Sequence, residues 1–131
     1  MIFDTDVLIW LSREDEKAKE LIEATEDRAT SIVSYMELLQ SAVSKAEMRT
    51  IQEFVRKTGF RVIPLSESIG HLAAALIEEH ALSNGLRIED ALIAATAREN
   101  GEVLATANIR HFRPIRNLEL KAFRPSRRSV S

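Results

Sequence analysis

The sequence has no cysteine in its 131 residues, which excludes a disulfide framework, a zinc–thiolate site and a thiol nucleophile. Any hydrolytic chemistry must therefore use oxygen ligands or hydroxyls. The first ten residues hold no basic n-region, and Asp4 and Asp6 interrupt their apolar stretch, so no signal peptide is expected. No apolar run approaches the ~20 residues of a membrane span, and the expectation is a soluble cytoplasmic protein without membrane attachment. His71, His80 and His111 do not fall at a metal-ligand spacing and read as packing or surface residues. Phe3, Trp10, Phe54 and Phe60 are spaced as core or dimer-contact residues, without the interleaved basic residues of a base-stacking platform.

What is present suits one domain over residues 1–131, since 45% apolar residues can bury a core without staples. Net charge is only −2, but it is unevenly spread. Residues 1–107 carry 11 Lys/Arg against 19 Asp/Glu, and residues 108–131 carry seven basic residues against Glu119 alone. A basic tail from about residue 113 either brings a polyanion to an acidic pocket or is a solvated tail that aids solubility; charge alone does not separate the two.

Apolar periodicity predicts strands at Met1–Asp4, Ala29–Val33, Arg61–Leu65 and Val103–Ala107, with a weak fifth near Leu118–Phe123. Helices are expected between them, at Val7–Leu11, Glu14–Ala24, from Ser34, from Ser44 to Gly59, from Ser66 to Asn84, and over Ile88–Asn100. Ser34-x-x-Glu37 and Ser44-x-x-Glu47 have the form of capping boxes. The run Ala91–Ala95 is apolar almost all round, which places its helix between layers. Alternating strands and helices with no Asn-Gly hairpin imply right-handed crossovers. The expected fold is α/β, a three-layer α/β/α arrangement on a central parallel sheet of four to five strands.

Four acids fall at element junctions: Asp4 at the end of the first strand, Asp6 just beyond it, Glu37 on the helix after the second, and Asp90 opening the apolar helix. Each has a structural reading. Asp6 can cap the helix at Val7, Glu37 can partner the Ser34 cap, and Asp90 suits a helix dipole. Together they say more, because parallel strand ends converge on one edge. Carboxylates gathered there repel one another, and a divalent cation with oxygen ligands removes that repulsion. The chemistry implied is metal-assisted attack of water on a phosphodiester or phosphate.

The ordered set Asp4-Thr5-Asp6-Val7-Leu8-Ile9, Ser34-Tyr35-Met36-Glu37-Leu38, Ile88-Glu89-Asp90-Ala91-Leu92-Ile93-Ala94-Ala95-Thr96-Ala97 and Leu104-Ala105-Thr106-Ala107-Asn108, with His111-Phe112 behind, resembles PIN-domain ribonucleases of the VapC toxin type. The resemblance spans residues 1–112. It implies a Mg²⁺- or Mn²⁺-dependent endoribonuclease, a homodimer, held inactive by a cognate antitoxin. By position it makes Asp4, Glu37 and Asp90 the catalytic, metal-binding acids, with Asp6, Asn108, Thr5 and Thr106 in secondary roles. Asn108 stands where many members have an aspartate; an amide brings no charge, and Asp6 can compensate for it. The implied reaction is in-line attack by metal-activated water with a 3′ oxygen leaving, so the products carry a 5′ phosphate. Tyr35 and Met36, beside Glu37, can line a groove for the antitoxin.

Two other readings compete. Asp4-Thr5-Asp6 has the D-x-D form of haloacid-dehalogenase phosphatases, with Asp4 as nucleophile, but Leu8 is atypical, no lysine lies in a suitable loop before Asp90, and the chain is short for that fold. A response-regulator receiver fits less well, because the third strand ends Ile63-Pro64-Leu65-Ser66 without an aspartate. The last alternative is a catalytically silent PIN module that only binds, which Asn108 leaves open.

Overall fold

Successive strand residues face opposite sides of a sheet, so a strand covered on both faces buries side chains in both directions and is largely apolar. In β1 (Ile2–Phe3) both residues are fully buried, but in different cores. Ile2 packs with Ile69, Leu76, Ile93 and Leu104. Phe3 packs with Val7, Leu8, Ile22 and Ala105, and edge-to-face on Phe60 with ring centroids 5.7 Å apart. Each large side chain buried this way contributes roughly 1.5–3 kcal/mol.

The computed structural model describes residues 1–126. After β1 come α1 (Thr5–Ser12), α2 (Glu16–Glu23), β2 (Ala29–Ser31), α3 (Ile32–Gln40), α4 (Lys45–Thr58) and β3 (Arg61–Ile63). Then follow α5 (Glu67–Asn84), α6 (Ile88–Glu99), β4 (Leu104–Thr106), α7 (Ile109–Phe112) and β5 (Leu120–Ala122). The five strands form one parallel sheet in the order β3-β2-β1-β4-β5. Helices α5 and α6 feed the core on one face, and α1, α2 and α4 the core on the other. The expected three-layer α/β/α fold on a parallel sheet is therefore what forms, with the fifth strand present. The chain runs outward from β1 through β2 to β3, then returns to the other side of β1 as β4. That reversal makes the C-terminal ends of β1 and β4 the crevice where ligands of such sheets bind.

Local signals explain most helix ends. Ser44 Oγ caps α4 at Glu47 N, and Ser66 Oγ caps α5 at Ile69 N. Gly59 and Gly85 close these helices in the left-handed conformation. Helix α6 buries Ala91, Ile93, Ala94, Ala95, Thr96 and Ala97, as its apolar circumference requires.

Two details differ from expectation. The first strand stops at Phe3, because Asp4 is the N-cap of α1 and accepts from Thr5 N; the cap is Asp4, not Asp6. Helix α3 begins at Ile32 with Ser31 as its cap, so Ser34 lies inside the helix and forms no capping box with Glu37. The basic segment from about residue 113 is folded as far as it is described, with Ile115 and Phe123 buried and β5 between them. Arg127 and Arg128 lie outside the described residues.

Candidate metal centre

Asp4 follows β1 directly, and capping α1 obliges its side chain to stay at the strand end. It is 7% exposed. Its Oδ1 accepts from Thr5 N at 2.8 Å and its Oδ2 from Thr106 Oγ1 at 2.7 Å. Thr106, the last residue of β4, is itself fully buried, and its hydroxyl also accepts from Asn108 N at 2.9 Å. One hydroxyl thus links the ends of the two central strands and the turn after β4. Asp6 reaches the same turn, taking Ala107 N on Oδ2 at 3.0 Å, while its Oδ1 is buried with no hydrogen-bond partner.

The electrostatics match this crowding. Burial, then the neighbouring Asp6 charge, raises the Asp4 carboxyl to about 7 against hydrogen bonds from Thr106 and Thr5, with Asp90 adding to the rise. Asp6 is raised by burial, opposed by the N–H groups of Ala107 and Val7, and Asp90 pushes it up further. Asp90, in the first turn of α6, is also raised by burial, opposed by His111. Three carboxylates with mutually unfavourable charge therefore face one crevice.

Glu37 arrives by a different route. Thr5 Oγ1 lies 2.8 Å from Glu37 Oε1 and 2.9 Å from Ser34 Oγ. A hydroxyl has one proton, so the acceptor-only carboxylate takes it and Ser34 donates to Thr5. Thr5 thereby holds α3 against the start of α1. Among the positions expected from sequence, Asp4, Asp6, Thr5 and Thr106 are joined by hydrogen bonds, and Asp90 adds its charge to Asp4 and Asp6. Asn108 adjoins this group and Glu37 joins through Thr5.

Two residues of this group were not expected. His111 Nδ1 lies 2.9 Å from Asn108 Nδ2 and 3.5 Å from Asp90 Oδ2. The three-residue step from Asn108 to His111 places both on one face only because residues 109–112 form α7, which apolar periodicity does not predict. Ser34 is fully buried against Thr5.

Among the described residues no group of three or more acidic or histidine side chains is already arranged to hold a metal ion. The donor chemistry nevertheless fits a hard divalent cation. All the candidate donors are oxygens, their charges repel, and Asp6 Oδ1 lacks any partner. A separate cavity of about 550 Å³ lies between α1, α2 and α4, lined by Leu11, Arg13, Lys19, Ile22, Arg28 and Phe54 among others; Asp4, Asp6, Glu37 and Asp90 do not line it.

Residues 1–117 match the PIN domain family. The chain is 35% identical over 116 residues to "Ribonuclease VapC10" of Mycobacterium tuberculosis, covering 86% of this chain and 85% of that protein. Its fold is similar to a "Toxin-antitoxin complex from Klebsiella pneumoniae", with TM-score 0.74, 30% identity, and coverage of 89% of this chain and 93% of that one. It is also similar to VapBC-1 from nontypeable Haemophilus influenzae, with TM-score 0.77, 22% identity, and coverage of 93% and 98%.

Proposed function

The chain belongs to the PIN domain family, and from that premise we propose that it is the toxin of a toxin–antitoxin pair, an endoribonuclease that cuts RNA with a divalent metal. The observation that carries the reading is the crowding of Asp4, Asp6 and Asp90 at the switch point of the sheet, with the Asp4 carboxyl raised to about 7. A protein that invests buried charge repulsion in one crevice gains stability there only by protonation or by a cation. Asp4 and Asp90 would hold Mg²⁺ or Mn²⁺, with Glu37 joining directly or through water. When bound, that ion supplies charge neutralisation for a phosphodiester and a lowered pKa for water.

The chain's own residues set the rest. Thr106 and Thr5 N fix both Asp4 oxygens, so its rotamer does not need to be found when substrate arrives. Thr5 aims Glu37, and Ala107 N orients Asp6. Asn108 brings no charge, its Nδ2 meeting His111 Nδ1, so Asp6 would be the carboxylate that supplies the charge of a fourth acid. The phosphatase reading loses its ground, because the family match covers the Asp4–Asp6 segment.

For the partners, the ribonuclease relative and the toxin–antitoxin complex support RNA as substrate and a cognate antitoxin as inhibitor. Met36, 49% exposed on α3 and next to Glu37, suits the antitoxin contact. The protein acts in the cytoplasm as a homodimer in this reading. No helix among the described residues is long and apolar enough to cross a membrane.

The test is cleavage of RNA by wild type, Asp4→Asn and Asp90→Asn, with and without EDTA. The reading expects both substitutions and the chelator to abolish cleavage; activity that survives them rejects it. The silent-module alternative takes support from the lack of a ready-made metal cluster among the described residues. Calorimetric titration with Mn²⁺ separates the two, since a silent module binds no metal specifically.

A further inference from the structure

The segment after β4 repeats a triplet of apolar residue, arginine and one variable residue: Ile109-Arg110-His111, Phe112-Arg113-Pro114, Ile115-Arg116-Asn117. Its backbone turns tightly. His111 N donates to Asn108 O, Ile115 N to Phe112 O, and Arg113 N to Ile109 O. In such a path, residues three apart stack above one another at about 5–6 Å. Phe112 and Ile115 are accordingly buried, and Arg110, Arg113 and Arg116 are all exposed. Asn117, with φ 59°, ends the run.

None of these arginines has a carboxylate within 4.0 Å among the described residues. Elsewhere some arginines are paired, Arg56 with Glu53, Arg61 with Asp27 and Arg87 with Glu89, while Arg49, Arg98 and Arg124 have no carboxylate partner among the described residues either but stand apart and form no row. The unmatched row also begins at the acidic crevice. Arg110 lies between Asn108 and His111, whose side chains meet at 2.9 Å, and His111 stands 3.5 Å from Asp90. Lys121 and Arg124 are exposed too, but they lie on or just past edge strand β5, where basic residues guard an open edge.

We propose that Arg110, Arg113 and Arg116 form a ridge that grips successive backbone phosphates of a single RNA strand and leads it to the carboxylate crevice. The inference rests on the ribonuclease reading above and names the surface its substrate uses. Arginine suits the task because its planar fork pairs with phosphate oxygens in two places and keeps its charge at any working pH. Phe112 and Ile115 root the ridge in the core, so the charges are presented without a mobile loop.

The test uses the full chain with Arg110, Arg113 and Arg116 all changed to Gln, and a control with Arg49, Arg56 and Lys57 changed to Gln. Circular dichroism confirms that both fold. Binding of a labelled single-stranded RNA oligonucleotide is followed by anisotropy in EDTA over a salt series. Three phosphate contacts contribute about 2 to the salt slope, so between about 50 and 200 mM salt the wild type loses about 20-fold more affinity than the ridge variant. In Mg²⁺ the ridge variant should show a raised KM with kcat retained. The control should behave as wild type in both assays.

A wild type that cuts RNA, with a ridge variant of equal affinity and salt slope, overturns the ridge alone. A wild type that neither binds nor cuts RNA overturns the ridge together with the ribonuclease reading. Retained RNA binding with lost binding of polyglutamate overturns it in favour of an acidic polypeptide.

Discussion

Thr106 shows how much one buried hydroxyl carries. It donates to Asp4 Oδ2 and accepts from Asn108 N, so Thr106→Val leaves a buried carboxylate oxygen and a backbone N–H without partners. The expected loss is about 1–3 kcal/mol in urea unfolding, restored by Thr106→Ser. Asp4 supplies the pH test. Its folded-state pKa of about 7 lies above the unfolded 3.8, so between those values the native state binds the extra proton. Stability of the metal-free protein from this group therefore falls as pH rises from about 4 to about 7. Asp4→Asn should remove that slope and leave the metal-free variant more stable than wild type at about pH 8, by on the order of a few kcal/mol. Mn²⁺ should raise the Tm of wild type and not of the variant. Asp4, Asp6 and Asp90 were readable from sequence because strand ends and first helical turns are places where an acid is conspicuous. His111 and Ser34 were not, since both matter through tertiary neighbours, Asp90 and Thr5, that no local spacing reveals.

Among the elements, the turn between α1 and α2 is held by Asp15, which is fully buried. It caps α2 at Ala18 N and takes both the N–H and the hydroxyl of Ser126, fastening the chain beyond β5 to this turn. Asp15→Ala should lower stability by about 2–3 kcal/mol, summing a lost cap and lost buried hydrogen bonds. Hydrogen exchange should quicken at Ala18 and Ser126 while the β1 amides stay protected. Helix boundaries were most readable where a cap and a stop agreed, as at Ser44 and Gly59 or Ser66 and Gly85. The Ser34 motif misled because Ser31, three residues earlier, offers the same hydroxyl at the point where β2 ends. Helix α7 escaped notice because a four-residue element has too few apolar positions to show a period.

For the whole molecule, strand order decides what the acids mean. The chain reverses direction across the sheet between β3 and β4, which brings residues 4 and 106 side by side across 102 positions of sequence. Parallel strands and helical crossovers were foreseeable from alternation, but their lateral order was not, because several orders bury the same apolar faces. The acidic body and basic C-terminal segment take on a spatial sense in this topology, since α7 and β5 flank the crevice that β1 and β4 form. On the proposed reading, this crevice would be a divalent-metal site for cutting RNA. The most direct test of that reading is RNA cleavage by the wild-type chain and Asp4→Asn in Mg²⁺, with an EDTA arm, scored by the ends produced. Cleavage that leaves 5′ phosphates and disappears with either EDTA or the substitution is the predicted result; cleavage that persists under both contradicts the reading.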